Sequence, residues 1–290
     1  MIGKSFNLST EKWLKLARQP PVSLIDFFNL VKAPVLEGTP IERLSVFRLL
    51  LAILQRACRP KTEVQIKQMN IEKMKSEARA YLTEHMDEFD IYDEKKPFLQ
   101  YTDAFCKDVL PSGKFVIGVA GKSAVVLREG TFTRNIGCAE EAYVLLTQLV
   151  MGTGGKKVKN NIRIKKTGTP PSSPAMGKNG WLHIYPLGDD LFDTLRINLI
   201  SEMEIKQKIP YLTSGIGIPP WEKMPMDLEG DEGEIYKNSL IGRLIPLAFY
   251  CHFDKGKFHI VRGLSYSNPC ETARRTQNRS TQKTFLASFD

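Results

Sequence analysis

The sequence predicts an α+β fold: one large mixed domain with long N-terminal helices packed on irregular antiparallel sheets. Helix-patterned runs carry the early part of the chain. Strand-patterned runs appear later, and one pair flanks the short turn Asp254-Lys255-Gly256. The two kinds of run do not alternate regularly, which argues against a doubly wound parallel sheet. A helical part over about 1–110 and a mixed part over about 111–290 follow.

The elements are justified in order. Thr39-Pro40-Ile41-Glu42 is a helix start: threonine caps, proline suits the first helical position, and glutamate completes a capping box. Ile41, Leu44, Phe47, Leu50, Leu51 and Leu54 then keep helical spacing, and Pro60 stops a helix over 40–59. Residues 62–89 read as a second, longer helix whose apolar side includes Val64, Ile66, Met69, Met74, Ala78, Leu82 and Met86. Short strands are expected over 115–120 and 124–127, turning at Gly121-Lys122-Ser123. A helix over 139–150 ends at Gly152. Prolines make 168–178 a loop, 181–187 alternates like a strand, and 189–200 reads as a helix begun by two aspartates. A hairpin is expected from 243–253 and 257–261, and the acidic, glycine-spaced stretch 227–234 reads as a solvated loop. The core is expected where the helices at 40–59 and 62–89 meet the strands near 115–127 and 243–261, with Leu50 and Leu54 buried.

Net charge is +9 and the sequence pI about 9.2, which favours an anionic partner. Between Met151 and Gly180 stand seven lysines and arginines and no acid. That stretch opens with Gly152, Gly154 and Gly155 and continues through Lys156, Lys157, Lys159, Arg163, Lys165 and Lys166. Glycines permit close backbone approach and lysines supply charge, a pairing suited to phosphates; a solvated loop is the plainer alternative. The tail is basic too, with Arg274 and Arg275. The five cysteines are dispersed and lack a Cys-x-x-Cys, so a reducing, cytoplasmic setting is expected. The N-terminus lacks an apolar signal core, and no apolar run approaches membrane-spanning length.

Several motifs fall short. Gly118-Val119-Ala120-Gly121-Lys122-Ser123 resembles a phosphate loop, but Val116 stands where the first glycine belongs and a β-rich run follows. Cys251, His252, His259 and Cys270 match no zinc-finger spacing. His85 and His183 suit packing or surface roles, and Trp13, Trp181 and Trp221 suit the core. Neither a nucleophile elbow nor a carboxylate pair stands out. No catalytic residue, metal or cofactor is expected.

The order of several short signatures is more telling than any one. Phe6-Asn7-Leu8 with Trp13 opens the chain, and Asp87-Glu88-Phe89-Asp90-Ile91-Tyr92 precedes Pro97-Phe98-Leu99-Gln100. Gly118-Val119-Ala120-Gly121, the glycine turn at 152–155, Thr167-Gly168-Thr169-Pro170, Pro219-Pro220-Trp221 and Arg262-Gly263-Leu264-Ser265-Tyr266 follow. This succession resembles the CasA family, the large subunit of the type I-E CRISPR surveillance complex, Cascade.

The resemblance implies a non-enzymatic subunit in antiviral defence. It would recognise the protospacer-adjacent motif (PAM) of double-stranded target DNA from the minor groove, start strand separation, and support recruitment of a helicase–nuclease. Guide pairing reads the long sequence in such systems, and protein reads the short motif. The family's glycine loop corresponds to Gly152, Gly154 and Gly155, and its motif-reading lysine to Arg274 or Arg275, which follow Gly263-Leu264 and Pro269-Cys270. Its RNA-contacting loop corresponds to about 127–134, with Leu127, Arg128 and Arg134 as contacts. Implied partners are the other Cascade subunits, CRISPR RNA, duplex target DNA and the helicase–nuclease, with no membrane. The family continues into a wedge and a C-terminal four-helix bundle, so this sequence is expected to represent its N-terminal part. A scaffold meeting guide RNA and other subunits without reading DNA is the alternative, and a metal-dependent nuclease a more distant one.

Overall fold

Thr39 begins the helix that organises the core. In a computed structural model describing residues 4–102, 104, 109–116, 135–152, 184–227, 230–254 and 257–266, Glu42 N–H donates to Thr39 Oγ1 at 3.3 Å. Thr39 N–H donates to Glu42 Oε2 at 2.8 Å, closing the capping box of helix α2 (Pro40–Cys58). Leu50 and Leu54 are fully buried, as expected. A shorter helix α1 (Leu24–Asn29) precedes α2.

The helix expected over 62–89 is three pieces: α3 (Glu63–Lys67), α4 (Ile71–Glu84) and a 3-10 turn, Met86–Phe89. Asn70 makes the break, since its Oδ1 accepts from Glu72 N–H at 2.7 Å and starts α4 afresh. Asparagine competes with helical hydrogen bonding in this way, so it favours caps over interiors. His85 ends α4, its ring tilted against Tyr81 and bonded through Nδ1 to Glu88 at 2.8 Å.

Helix α5 (Cys138–Met151) ends at Gly152. The expected strand over 181–187 is not formed at its described residues, 184–187, where Ile184 and Leu187 are exposed. The helix expected over 189–200 shortens to α6 (Leu191–Ile197), capped by Asp190, and α7 (Glu202–Lys208) follows. The acidic stretch read as a solvated loop instead enters α8 (Asp231–Lys237). Asp231, Glu232 and Glu234 occupy its first turn, where negative charge complements the exposed N–H groups. Arg243 and Leu244 belong to α9 (Leu240–Leu244), so the strand expected from 243 begins later, at Phe249.

The described sheet has the order β1 (Leu110–Pro111), β3 (Lys257–Arg262), β2 (Phe249–Asp254), all antiparallel. Phe115 closes a 3-10 turn, Ser112–Phe115; the strands expected beyond it, and the phosphate-loop-like segment, lie outside the described residues. α2 packs on α4 and α5, and α5 is the helix that carries the hairpin. One apolar cluster extends from Leu8 to Leu264, and a smaller one gathers Ile205, Leu212, Ile216, Leu240 and Ile241.

The described signature residues act as joints of this fold. Asp90 Oδ1 accepts from Phe6 N–H at 3.0 Å and Tyr92 N–H at 2.8 Å. Gln100, buried, donates to Ile91 O at 2.6 Å and accepts from Phe253 N–H at 2.7 Å, tying 91–100 to the edge of β2. Trp221 packs among Phe89 and Phe98 and donates to Tyr81 Oη at 2.7 Å. Arg56 forks onto Glu222 at 2.8 and 2.7 Å, and Tyr81 donates to Glu222 at 2.5 Å. Burial raises the Glu222 carboxyl, but the bonds from Arg56 and Tyr81 outweigh it and hold the group below the ordinary glutamate value.

Candidate nucleic-acid interface

α5 is built to hold its C-terminal end in place. From Glu141 to Met151 every residue is buried. At its start Gly137 N–H donates to Glu140 Oε2 at 3.2 Å. At its end Gly152 N–H donates to Gln148 O at 3.1 Å. The Gly152 φ of −62° is open to any residue, so conformation does not require glycine there. Space does: a Cβ would stand 2.2 Å from Gln148 O and 2.7 Å from the Phe249 ring.

Three parts of the chain meet around this end. Gln148 Nε2 donates to Phe115 O at 2.9 Å. The Phe115 ring meets Phe258 edge-on at 5.0 Å. Phe249, against Gly152, pairs with Arg262 across the ladder. The chain then turns back as Gly263 N–H donates to Ala248 O at 3.0 Å and Leu264 N–H to Leu247 O at 2.7 Å. A Cβ on Gly263 would stand 2.1 Å from Leu247 O, so this return needs glycine. The Tyr266 hydroxyl donates to Gly242 O and accepts from Leu247 N–H, each at 3.0 Å.

Buried cations brace the neighbouring helix end. Arg48 donates through Nε to Leu244 O at 2.9 Å and through Nη2 to Arg243 O, capping the carbonyls of α9. Burial pulls the Arg48 guanidinium down to about 10, against the opposing influence of Tyr266. Burial pushes the Tyr266 hydroxyl up.

Of the expected site residues, Gly152 is the one that is described, and its local role is packing. Gly154, Gly155, Lys156, Lys157, Lys159, Arg163, Lys165, Lys166, Leu127, Arg128, Arg134, Arg274 and Arg275 lie outside the described residues. Among the described residues, Phe115, Gly152, Phe249 and Arg262 gather at the end of α5. Sequence reasoning quoted Arg262 as a signature but missed its position opposite Phe249, because strand register is set by pairing.

The weak zinc set is split by the hairpin. His252 faces His259 with ring centroids 6.1 Å apart, whereas Cys251 projects to the opposite face with Ile260. Cys270 lies outside the described residues. Among the described residues, no group of three or more His, Cys, Asp or Glu side chains is placed to hold a metal ion. No described helix is long and apolar enough to cross a membrane.

The family model for CRISPR-associated protein Cse1 matches residues 7–242. The chain belongs to the Cse1 family. Three solved structures show the same fold. CasA (Cse1) of Thermus thermophilus is 20% identical with a TM-score of 0.62, over 91% of this chain and 55% of that one. Cse1 from Acidimicrobium ferrooxidans is 20% identical with a TM-score of 0.65, over 96% and 54%. A chain of a CRISPR RNA-guided surveillance complex, pre-nicking, is 18% identical with a TM-score of 0.67, over 91% and 56%. This Cse1-family chain thus spans about half the length of these relatives. No curated protein sequence matches it significantly.

Proposed function

We propose that this chain is a non-enzymatic part of an RNA-guided CRISPR surveillance complex of the Cascade type, contacting the target duplex at a short motif. The glycine turn at 154–155 approaches the minor groove, and Arg274 or Arg275 reads beside it. Lys156, Lys157, Lys159, Arg163, Lys165 and Lys166 meet phosphates. Leu127, Arg128 and Arg134 face the guide RNA or a neighbouring subunit. CRISPR RNA, the other subunits, duplex DNA and a helicase–nuclease are the partners.

Family membership supports the assembly. The observation that supports the contact assignment is that Phe115, Gly152, Phe249 and Arg262 gather at the end of α5, which the basic stretch follows in sequence. Close backbone approach suits the minor groove, which offers few distinguishing groups.

The test is Gly155→Asp in an assembled complex. It adds a side chain and a negative charge where close approach to phosphate is required. Duplex-target capture is expected to fall while guide RNA loading and melting temperature hold. Equal capture by the folded variant returns the basic stretch to a subunit-facing or solvated role.

A further inference from the structure

Arg262 closes β3 directly opposite Phe249, whose ring occupies the space a side chain at 152 would need. Facing residues of an antiparallel pair project to one side of the sheet. The Arg262 side chain therefore stands on the α5 side of the hairpin, at the end where α5 stops. Cys251, Phe253, Phe258 and Ile260 share that side and are buried, so Arg262 ends an otherwise apolar row with a cation.

Its bonding is incomplete. Nη2 donates to Ser265 Oγ at 2.9 Å, which steadies the group. Nε is buried and has no acceptor among the described residues. No carboxylate among the described residues forms an ion pair with it. A guanidinium has five N–H donors and no acceptor, so a part-buried one without counter-charge is an unmet demand for an anion with several oxygens. Phosphate meets that demand, and arginine's planar fork matches it.

We propose that Arg262 is a phosphate-contact residue: its guanidinium, held by Ser265, takes a backbone phosphate of the duplex target at the corner where α5 ends. This rests on the DNA-contacting role given above and adds a cation that belongs to the folded body.

The test uses assembled complexes carrying wild-type chain, Arg262→Gln or Arg262→Lys. Each is titrated over a range of salt with a guide-matched duplex and with a scrambled duplex. Losing one phosphate contact lowers the magnitude of the slope of log K against log salt by about 0.9. It does so for both sequences alike. Arg262→Gln is expected to show that loss, and Arg262→Lys to keep the wild-type slope, since an ammonium still neutralises a phosphate. If Arg262→Gln lowers the melting temperature, Arg262→Met replaces it; methionine occupies the stem's volume and leaves no unpaired donor. A wild-type slope in a folded, guide-loaded charge-removal variant overturns the proposal. Unchanged slopes here with capture lost in Gly155→Asp overturn this inference alone; no change in either removes the DNA-contacting role as well.

Discussion

The two faces of the β2–β3 hairpin meet different things. On one, Tyr250 stacks on Tyr101 at 4.6 Å and donates to Pro225 O at 2.9 Å, while Gln100 holds the adjoining strand edge. On the other, Phe249 packs against Gly152 at the end of α5, and Arg262 stands opposite Phe249. The first region is closed largely by aromatic contacts, and the facing rings of His252 and His259 share that side. The second ends in a cation whose Nε has no acceptor among the described residues. Residues quoted as signatures stand in both, Gln100 at the first and Gly152 and Arg262 at the second.

Mutations that damage the shared core should affect both regions. Leu50→Ala is expected to cost roughly 2–5 kcal/mol of stability, read by chemical denaturation, because Leu50 is fully buried. Gln100→Ala strips partners from Ile91 O and Phe253 N–H, at roughly 1–3 kcal/mol for each group left unpaired. Complexes that still assemble with this variant should capture duplex normally; a selective loss of capture would blur the distinction between the faces.

Within the glycine turn the comparison sharpens. Gly152→Ala forces a Cβ against Gln148 O and Phe249 and is expected to destabilise by about 1–3 kcal/mol, read by thermal melt. Gly155→Asp, by contrast, should spare the melt and weaken capture. An unchanged melt for Gly152→Ala would mean that the end of α5 is less tightly held than its contacts imply.

The smallest effect concerns pH. The Glu222 carboxyl lies below its ordinary value in the fold, so its contribution is present above the unfolded carboxylate range and is lost as pH falls through the depressed value. The melting-temperature gap between wild type and Glu222→Gln should therefore narrow on acidification. A gap independent of pH would remove Glu222 ionisation from the account.

Local chemistry made much of the fold legible. Thr39-Pro40-Ile41-Glu42 announced α2, and Gly152 marked the end of α5. The break at Asn70 was hidden because Ile66, Met69, Met74 and Ala78 keep an apolar spacing across it. α8 was hidden because acids spaced by glycine read as solvent-loving, although the same charges favour a helix start. Gly152 looked like a residue kept bare for a ligand; its contact with Phe249 is long-range and invisible in the chain order. Arg262 was visible as part of a motif, but its neighbour across the ladder was not.

Photo-cross-linking tests the division between the faces most directly. A cross-linking residue is placed at Lys156, just past the end of α5, or at Met226, exposed beside the Tyr250 face. Each assembled complex is then irradiated with bound target duplex. The account predicts DNA adducts from position 156 and none from 226. Adducts from 226 with none from 156, in complexes that bind the duplex, would contradict it.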